Sequence, residues 1–149
     1  MYDAILTHIA DRMHSYGETL QPPCPEACLM DFKRRAGQEL GCDIPAQYIA
    51  FLAKANGLDW NGIVVYASKR TPIADYPDRM IDGMVEANLE FRGHVPMRNY
   101  LVFADDGVAL FTYNMSNTKF EAVTRVGLTV LECFDSFDEM LARALLRDT

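Results

Sequence analysis

The sequence predicts an α+β fold, in which about five helices pack against a twisted antiparallel β-sheet, a meander of four to six strands. Three observations predict it. Apolar residues recur at helical spacing through residues 2–55. Short apolar runs joined by turn-forming residues fill 100–134, which is typical of an antiparallel meander. The capping sequence SFDE at 136–139 then opens a last helix. The length of 149 residues suits a single domain, 1–149.

Three helices are predicted in the N-terminal third. Gly17 ends the first helix, Pro25 and Gly41 bound the second, and Pro45 opens the third. The apolar positions at helical spacing are Tyr2, Ile5, Leu6, Ile9 and Met13, then Leu29, Phe32, Ala36 and Leu40, then Tyr48, Phe51, Leu52 and Ala55.

The stretch NGLDWNG at 56–62 is interpreted as a corner between the third helix and the first strand. We expect Gly57 to end the helix in the left-handed conformation, with Leu58 folding back onto it. Asn61-Gly62 is a tight-turn pair placed before the strand at 63–66. Trp60 is predicted to cover the edge of the core, and the alternative is an exposed anchor for a partner.

A fourth helix is predicted from about Asp78 to Phe91, because apolar residues recur there at helical spacing: Met80, Ile81, Met84, Val85 and Leu89. The meander follows as YLVFA, VALFTY, KFEAVTR and TVLECF. Turns are expected at 105–107 and 114–117. In the last helix, Ser136 is expected to cap the N-terminus together with Glu139.

Acidic residues recur every four positions along the predicted fourth helix, which would align Asp78, Asp82, Glu86 and Glu90 in one stripe. Like charges at this spacing disfavour a helix slightly. One interpretation is a solvated face. The functional interpretation is an electrostatic docking strip for a basic partner. The candidate partner-binding residues are therefore these four carboxylates and Trp60.

No pattern in the sequence predicts catalytic residues, a cofactor or a metal. His8 and His14 are six residues apart, on different sides of a helix. Cys24 and Cys28 could share a helix face, but a zinc site needs about four ligands. A glycine-rich phosphate loop, a nucleophile elbow and a His-Glu-x-x-His sequence are all absent from the chain.

The formal net charge of −7 argues against nucleic-acid binding, which depends on Lys and Arg neutralising phosphates. The first 17 residues do not form a signal peptide, and no apolar run is long enough to span a membrane. We therefore expect a cytoplasmic protein whose four cysteines are free thiols.

Three stretches carry a resemblance to a known family. IPAQYIAFLAKANGLDWNGIVVY is similar to its Leu-Pro, Tyr, Phe-Leu, Asn-Gly signature, YLVFADDGVALFTYN to its hairpin after the mid-chain helix, and TVLECFDSFDEMLARAL to its closing strand and helix. The sequence resembles the SUKH superfamily, in the branch named for the yeast Smi/Knr cell-wall regulators, and most closely its bacterial YrhA-like members. The similarity runs from about Asp31 to the end, and Ile44 stands where the family usually has Leu.

The resemblance implies helices around a twisted sheet and a binding role, with no catalytic motif to carry over. Bacterial members are typically immunity proteins that neutralise a cognate polymorphic toxin. The leading hypothesis is thus a non-enzymatic protein whose partner is a basic toxin domain. The alternative is a housekeeping adaptor or regulatory scaffold of the same fold with no toxin partner. A small hydrolase with an unfamiliar site is the third class left open.

Overall fold

The computed structural model describes residues 2–146, which form five α-helices and eight β-strands. The helices are α1 (Asp3–Ser15), α2 (Glu26–Leu40), α3 (Ala46–Lys54), α4 (Met84–Phe91) and α5 (Phe137–Leu146). The strands are β1 (Leu58–Trp60), β2 (Ile63–Val65), β3 (Thr71–Ile73), β4 (Tyr76–Ile81), β5 (Tyr100–Asp105), β6 (Ala109–Asn114), β7 (Lys119–Thr124) and β8 (Val130–Phe134). The α+β prediction is confirmed.

Six strands form one sheet in the order β1-β2-β5-β6-β7-β8, and each pairs with its neighbour in antiparallel register. Strands β3 and β4 form a separate antiparallel hairpin. The predicted meander from residue 100 onward is therefore confirmed, including its closing helix. Ser136 Oγ accepts the Glu139 N–H at 3.1 Å, and the Glu139 carboxylate accepts the Asp135 N–H at 3.0 Å.

The core lies where α2, α3 and α5 meet the central strand β5. Tyr48 of α3 is fully buried, and its hydroxyl donates to the Tyr66 carbonyl at 2.7 Å. Its ring lies 5.2 Å from that of Phe103, 5.6 Å from Phe137 and 6.0 Å from Phe32, measured between centroids. Such tilted and edge-on aromatic contacts add to the stabilisation from buried area.

Helix α4 is fixed to β5 by a buried side chain. Strand β2 pairs with Asp105 and Ala104 of β5, and its pairing does not reach Val102. Asn88 of α4 binds the backbone of Val102 instead. Its Oδ1 accepts the Val102 N–H at 2.7 Å, and its Nδ2 donates to the Val102 carbonyl at 2.8 Å. Because buried backbone groups need partners, this pair of hydrogen bonds sets the height of α4 along the sheet.

The stretch 56–62 differs from the expected corner between a helix and a strand. Helix α3 stops at Ala55, which is already extended, and residues 58–60 form a strand of their own. Asn61-Gly62 is the tight turn that was predicted, with φ of +47° and +86°, but it joins β1 to β2 in a two-residue hairpin.

Gly57 has the expected positive φ, +89°, for a different reason than helix capping. A Cβ at this position would lie 3.1 Å from Ala67 Cβ, from Ile81 Cγ2 and from the Val65 carbonyl oxygen. Gly57 thus allows the chain to pass tightly between the main sheet and the β3–β4 hairpin. Leu58 starts strand β1, where it pairs with Val65. Its packing against the helix stays a prediction.

The predicted start of the fourth helix at Asp78 is also wrong. Residues 76–81 are strand β4, which pairs with β3 through Thr71 opposite Ile81 and Pro72 opposite Met80. Helix α4 begins only at Met84. It follows Gly83, where a Cβ would lie 2.7 Å from Lys69 Cα. The apolar spacing at 80–85 fits a helix, but pairing with β3 decides the structure.

Candidate functional site

A groove of about 650 Å³ lies at one end of the sheet. This volume falls in the range of ordinary binding sites. It is lined by Tyr66 after β2, by Asp82 before α4, by α4 and the segment after it, by Asp105 at the end of β5, and by the β7–β8 turn. Its apolar lining is Ala87, Phe91, Pro96, Met97, Leu110 and Leu128.

The floor of the groove is a chain of three polar side chains joined by one hydrogen bond and one ion pair. The buried Tyr66 hydroxyl donates to Asp105 Oδ2 at 2.6 Å, and the Arg125 guanidinium lies 3.1 Å from Asp105 Oδ1. Burial, followed by the charge of Asp105, holds the pKa of the Tyr66 hydroxyl well above its usual value. Tyr66 therefore stays protonated and remains a donor to Asp105.

Two further carboxylates on the walls have no such partner. Asp82 and Glu90 are exposed, and among residues 2–146 neither forms an ion pair within 4 Å. The backbone of Asp82 is well held, because its carbonyl accepts the Ala67 N–H at 2.9 Å. The groove thus carries three carboxylates and one guanidinium among its lining residues, and it attracts positive charge.

The β7–β8 turn that closes the groove is held rigidly. Thr124 Oγ1 donates to the Val126 carbonyl at 2.7 Å and accepts the Thr129 N–H at 2.9 Å. The Arg125 N–H is bound by the Val108 carbonyl at 2.8 Å. Leu128 is left with φ of +53°, a left-handed conformation that is strained for a branched side chain. Strain of this kind persists only where the surrounding structure enforces it.

Exposed valines surround the mouth of the groove. Val126 is 87% exposed and lies between two lining residues of the β7–β8 turn. Val95 is 66% exposed and lies between His94 and Pro96, which also line the groove. Val108 is 67% exposed at the neighbouring turn. An apolar rim around a charged groove is typical of an interaction surface rather than of a solvated one.

The four carboxylates of the predicted stripe lie on different elements of the structure. Asp78 lies on strand β4, Asp82 lies between β4 and α4, and only Glu86 and Glu90 are helical. A single helical stripe of four carboxylates is therefore wrong, because it needed the helix to begin at Asp78. Asp82 and Glu90 both line the groove, whereas Asp78 and Glu86 do not.

Glu86 and Trp60 have structural surroundings of their own. The Arg35 guanidinium of α2 binds Glu86 Oε1 at 2.6 Å, so this charge is neutralised at the α2–α4 contact. Trp60 is 9% exposed and belongs to the core cluster. Trp60 thus covers the edge of the core, as the first of the two interpretations predicts, and is not exposed. A contact of Trp60 with a partner stays a prediction.

The cysteines lie apart from the groove. Cys24 is buried, with its sulfur 3.4 Å from Ser68 Oγ, and Cys28 is half-buried. Burial raises the pKa of the Cys24 thiol. Within residues 2–146, no three side chains of His, Cys, Asp or Glu come together as metal ligands. In the same range, no helix is long and apolar enough to cross a membrane.

The family model described as the SMI1 / KNR4 family (SUKH-1) matches residues 34–143. The chain belongs to this family. The match covers every residue that lines the groove, and the predicted resemblance to the SUKH superfamily is confirmed at this level. Assignment to the YrhA-like branch stays a prediction. No curated protein sequence matches the chain.

Sequence reasoning did not find the floor of this SUKH-1 groove. Asp105 was assigned to a hairpin turn, and Tyr66 and Arg125 were assigned to strands without any role. The only available signal was a charged residue directly after the apolar run YLVFA. That signal does not identify Tyr66 or Arg125 as partners, because strand pairing brings the three together from 66, 105 and 125.

Proposed function

We propose that this SUKH-1 domain is a non-enzymatic, cytoplasmic protein-binding domain that acts as an immunity protein and neutralises a cognate bacterial toxin. The groove is the observation that carries the proposal. It combines a preorganised turn, an apolar rim and two carboxylates without an ion pair among residues 2–146. Membership of the SUKH-1 family supports a protein as the partner rather than a small metabolite.

The charge of the chain favours a basic partner. The net charge of −7 attracts a cationic surface over distances of about a Debye length, roughly 8–10 Å at physiological salt. The groove carboxylates would then orient the partner as contact forms. Inhibition follows by steric cover, because a bound domain of 149 residues occupies the space in front of the toxin's active site.

The composition of the groove supports binding over catalysis. Among the described residues that line it there is no serine, threonine, cysteine or lysine that could act as a nucleophile. The carboxylate at the floor is already engaged by Tyr66 and Arg125. This chain of three side chains holds a shape and a charge rather than a free acid or base.

The immunity function predicts that the neighbouring gene encodes the toxin, so the experiment is a titration of that gene's product with the purified protein. We expect a one-to-one complex and complete loss of toxin activity at one equivalent. A complex with a cellular protein but none with the neighbouring toxin would replace this proposal by the adaptor alternative. Turnover of a substrate by the protein alone would contradict the non-enzymatic assignment.

A further inference from the structure

The groove presents a specific combination of surfaces to a partner. Its apolar lining includes Phe91, Met97 and Leu128, and its two wall carboxylates are Asp82 and Glu90. A side chain that fills it must therefore have an apolar length and a positive end. Arginine and lysine both fit this description, since each has an aliphatic stem that packs on apolar surface while its charged end meets polar groups.

The wall carboxylates favour arginine over lysine. Asp105 is already engaged, because it pairs with Arg125 and accepts a hydrogen bond from Tyr66, so Asp82 and Glu90 are the carboxylates left for a partner. A guanidinium is more weakly hydrated than an ammonium and can donate to two carboxylates at once. It therefore loses less hydration on entering a partly apolar groove.

The remaining cavities of the described chain do not offer the same combination. The cavity of about 300 Å³ beside β8 and α5 contains Glu132 and Arg143, which are paired with each other at 3.2 Å. The cavity of about 240 Å³ beside α2 contains Arg35, whose charge is already matched by Glu86. The cavity of about 400 Å³ beside β5 and β7 is lined by a single carboxylate, Asp43, and by no cationic side chain. Of these four cavities, the groove alone carries two carboxylates that have no cationic partner among residues 2–146.

We infer that the groove receives one arginine side chain from an exposed loop of a partner protein, with its guanidinium held by Asp82 and Glu90 and its stem packed on Phe91, Met97 and Leu128. The exposed Val95, Val108 and Val126 then contact the residues that flank this arginine. This inference rests on the proposed function in that the partner is a protein, and it names the chemistry of its contact.

The first test uses small probes and needs no knowledge of the partner. The backbone amide signals of the protein are followed by NMR during titration with N-acetyl-arginine methylamide, and with the citrulline analogue as an uncharged control of the same shape. We expect millimolar binding of the arginine probe, with shifts at residues 82, 90, 94 and 128. We expect at least a fivefold weaker response to citrulline.

Two variants locate the response. Asp82→Asn with Glu90→Gln should abolish the shifts caused by the arginine probe. Asp78→Asn with Glu86→Gln removes the same amount of charge outside the groove and should leave the shifts intact. Equal shifts with both probes, shifts that survive in the groove variant, or no saturable shifts at residues lining the groove would each overturn the inference.

The second test uses the toxin domain encoded by the neighbouring gene and separates this inference from the proposed function. The groove variant should bind the toxin roughly tenfold or more weakly than the wild type, and the matched variant should bind within about twofold. Wild-type affinity in the groove variant would overturn the inference while leaving the immunity function standing. If no complex forms with the wild type, the immunity function fails and the probe titration decides the inference by itself.

Discussion

Glu86 and Glu90 are one turn apart on the same helix, and their surroundings differ. Glu86 contacts Arg35 of α2, so its charge contributes to holding two helices together. Glu90 lines the groove, as Asp82 does, and neither has an ion pair among residues 2–146. Two identical side chains four residues apart thus differ in role: the first contributes to stability, and the second is one of the residues proposed to bind the partner.

The difference shows that the role of a carboxylate depends on its partner in the fold rather than on its spacing in the sequence. Removing a carboxylate that is paired with a cation lowers the free energy of unfolding, because the pair contributes to the stability of the fold. An unpaired charge on a groove wall contributes little to folding, and its removal is felt only when a cationic ligand is present.

The largest effect on stability is expected at the floor of the groove, where a carboxylate is engaged by the fold itself. Asp105→Ala removes the acceptor of the buried Tyr66 hydroxyl and the partner of Arg125. Leaving a buried donor unsatisfied costs about 1–3 kcal/mol in the free energy of unfolding. Urea denaturation measures this loss.

The control for Asp105 is the same substitution in a Tyr66→Phe background. Once the hydroxyl is gone, Asp105→Ala leaves no buried donor without an acceptor, so it should cost less than in the wild type. An equal cost in both backgrounds would show that the hydrogen bond between Tyr66 and Asp105 does not stabilise the fold.

A smaller effect is expected for the pair on the α2–α4 side. The Arg35 and Glu86 side chains are 25% and 45% exposed, so solvent screens their attraction. A double-mutant cycle of Arg35→Ala and Glu86→Gln should give a coupling energy of about 0.2–1 kcal/mol. The coupling should shrink between 0.05 M and 1 M salt. Coupling that is independent of salt would mean that packing, rather than charge, joins the two residues.

The smallest effect on stability is expected at the groove walls. Asp82→Asn and Glu90→Gln keep the size of each side chain and remove charges that no described cation matches. Each change should alter the free energy of unfolding by no more than about 0.5 kcal/mol, which is usual for surface substitutions. A loss above about 1 kcal/mol for either would show that the fold itself depends on that carboxylate.

The C-terminal half of the fold was predictable because each of its turns is encoded locally. At the β5–β6 turn, Asp106 Oδ1 accepts the N–H groups of Val108 and Ala109 at 3.0 and 2.7 Å. Asp and Asn side chains favour such contacts with backbone two or three residues ahead. The capping pair of Ser136 and Glu139 is equally local. Short-range chemistry of this kind is visible in a single sequence.

The segment 56–83 was not predictable in the same way, because contacts between distant residues decide it. Strand β4 has the apolar spacing of a helix, but Pro72 and Thr71 pair with Met80 and Ile81. The three-residue strand β1 exists only through its pairing with β2. A pattern within one segment cannot reveal which neighbour will supply these backbone hydrogen bonds.

The groove was only half predicted for a related reason. Asp82 and Glu90 were selected as part of a charge pattern, and the structure does place them in one cavity. Glu86 belongs to the same charge pattern but binds Arg35, which lies more than fifty positions away in the chain. The floor was missed because Tyr66, Asp105 and Arg125 come from three separate segments.

The central claim is that the groove, rather than the overall acidity, receives a basic partner. The measurement is the association rate constant with the product of the neighbouring gene, the proposed toxin, at two salt concentrations, for two variants with the same net charge of −5. This value follows from −7 by removal of two carboxylates. The pair Asp82→Asn and Glu90→Gln should slow association and weaken its salt dependence, whereas Asp78→Asn and Glu86→Gln should leave both near the wild type. Equal slowing by both pairs would mean that net charge alone attracts the partner, and no slowing by either would contradict the groove as its binding site.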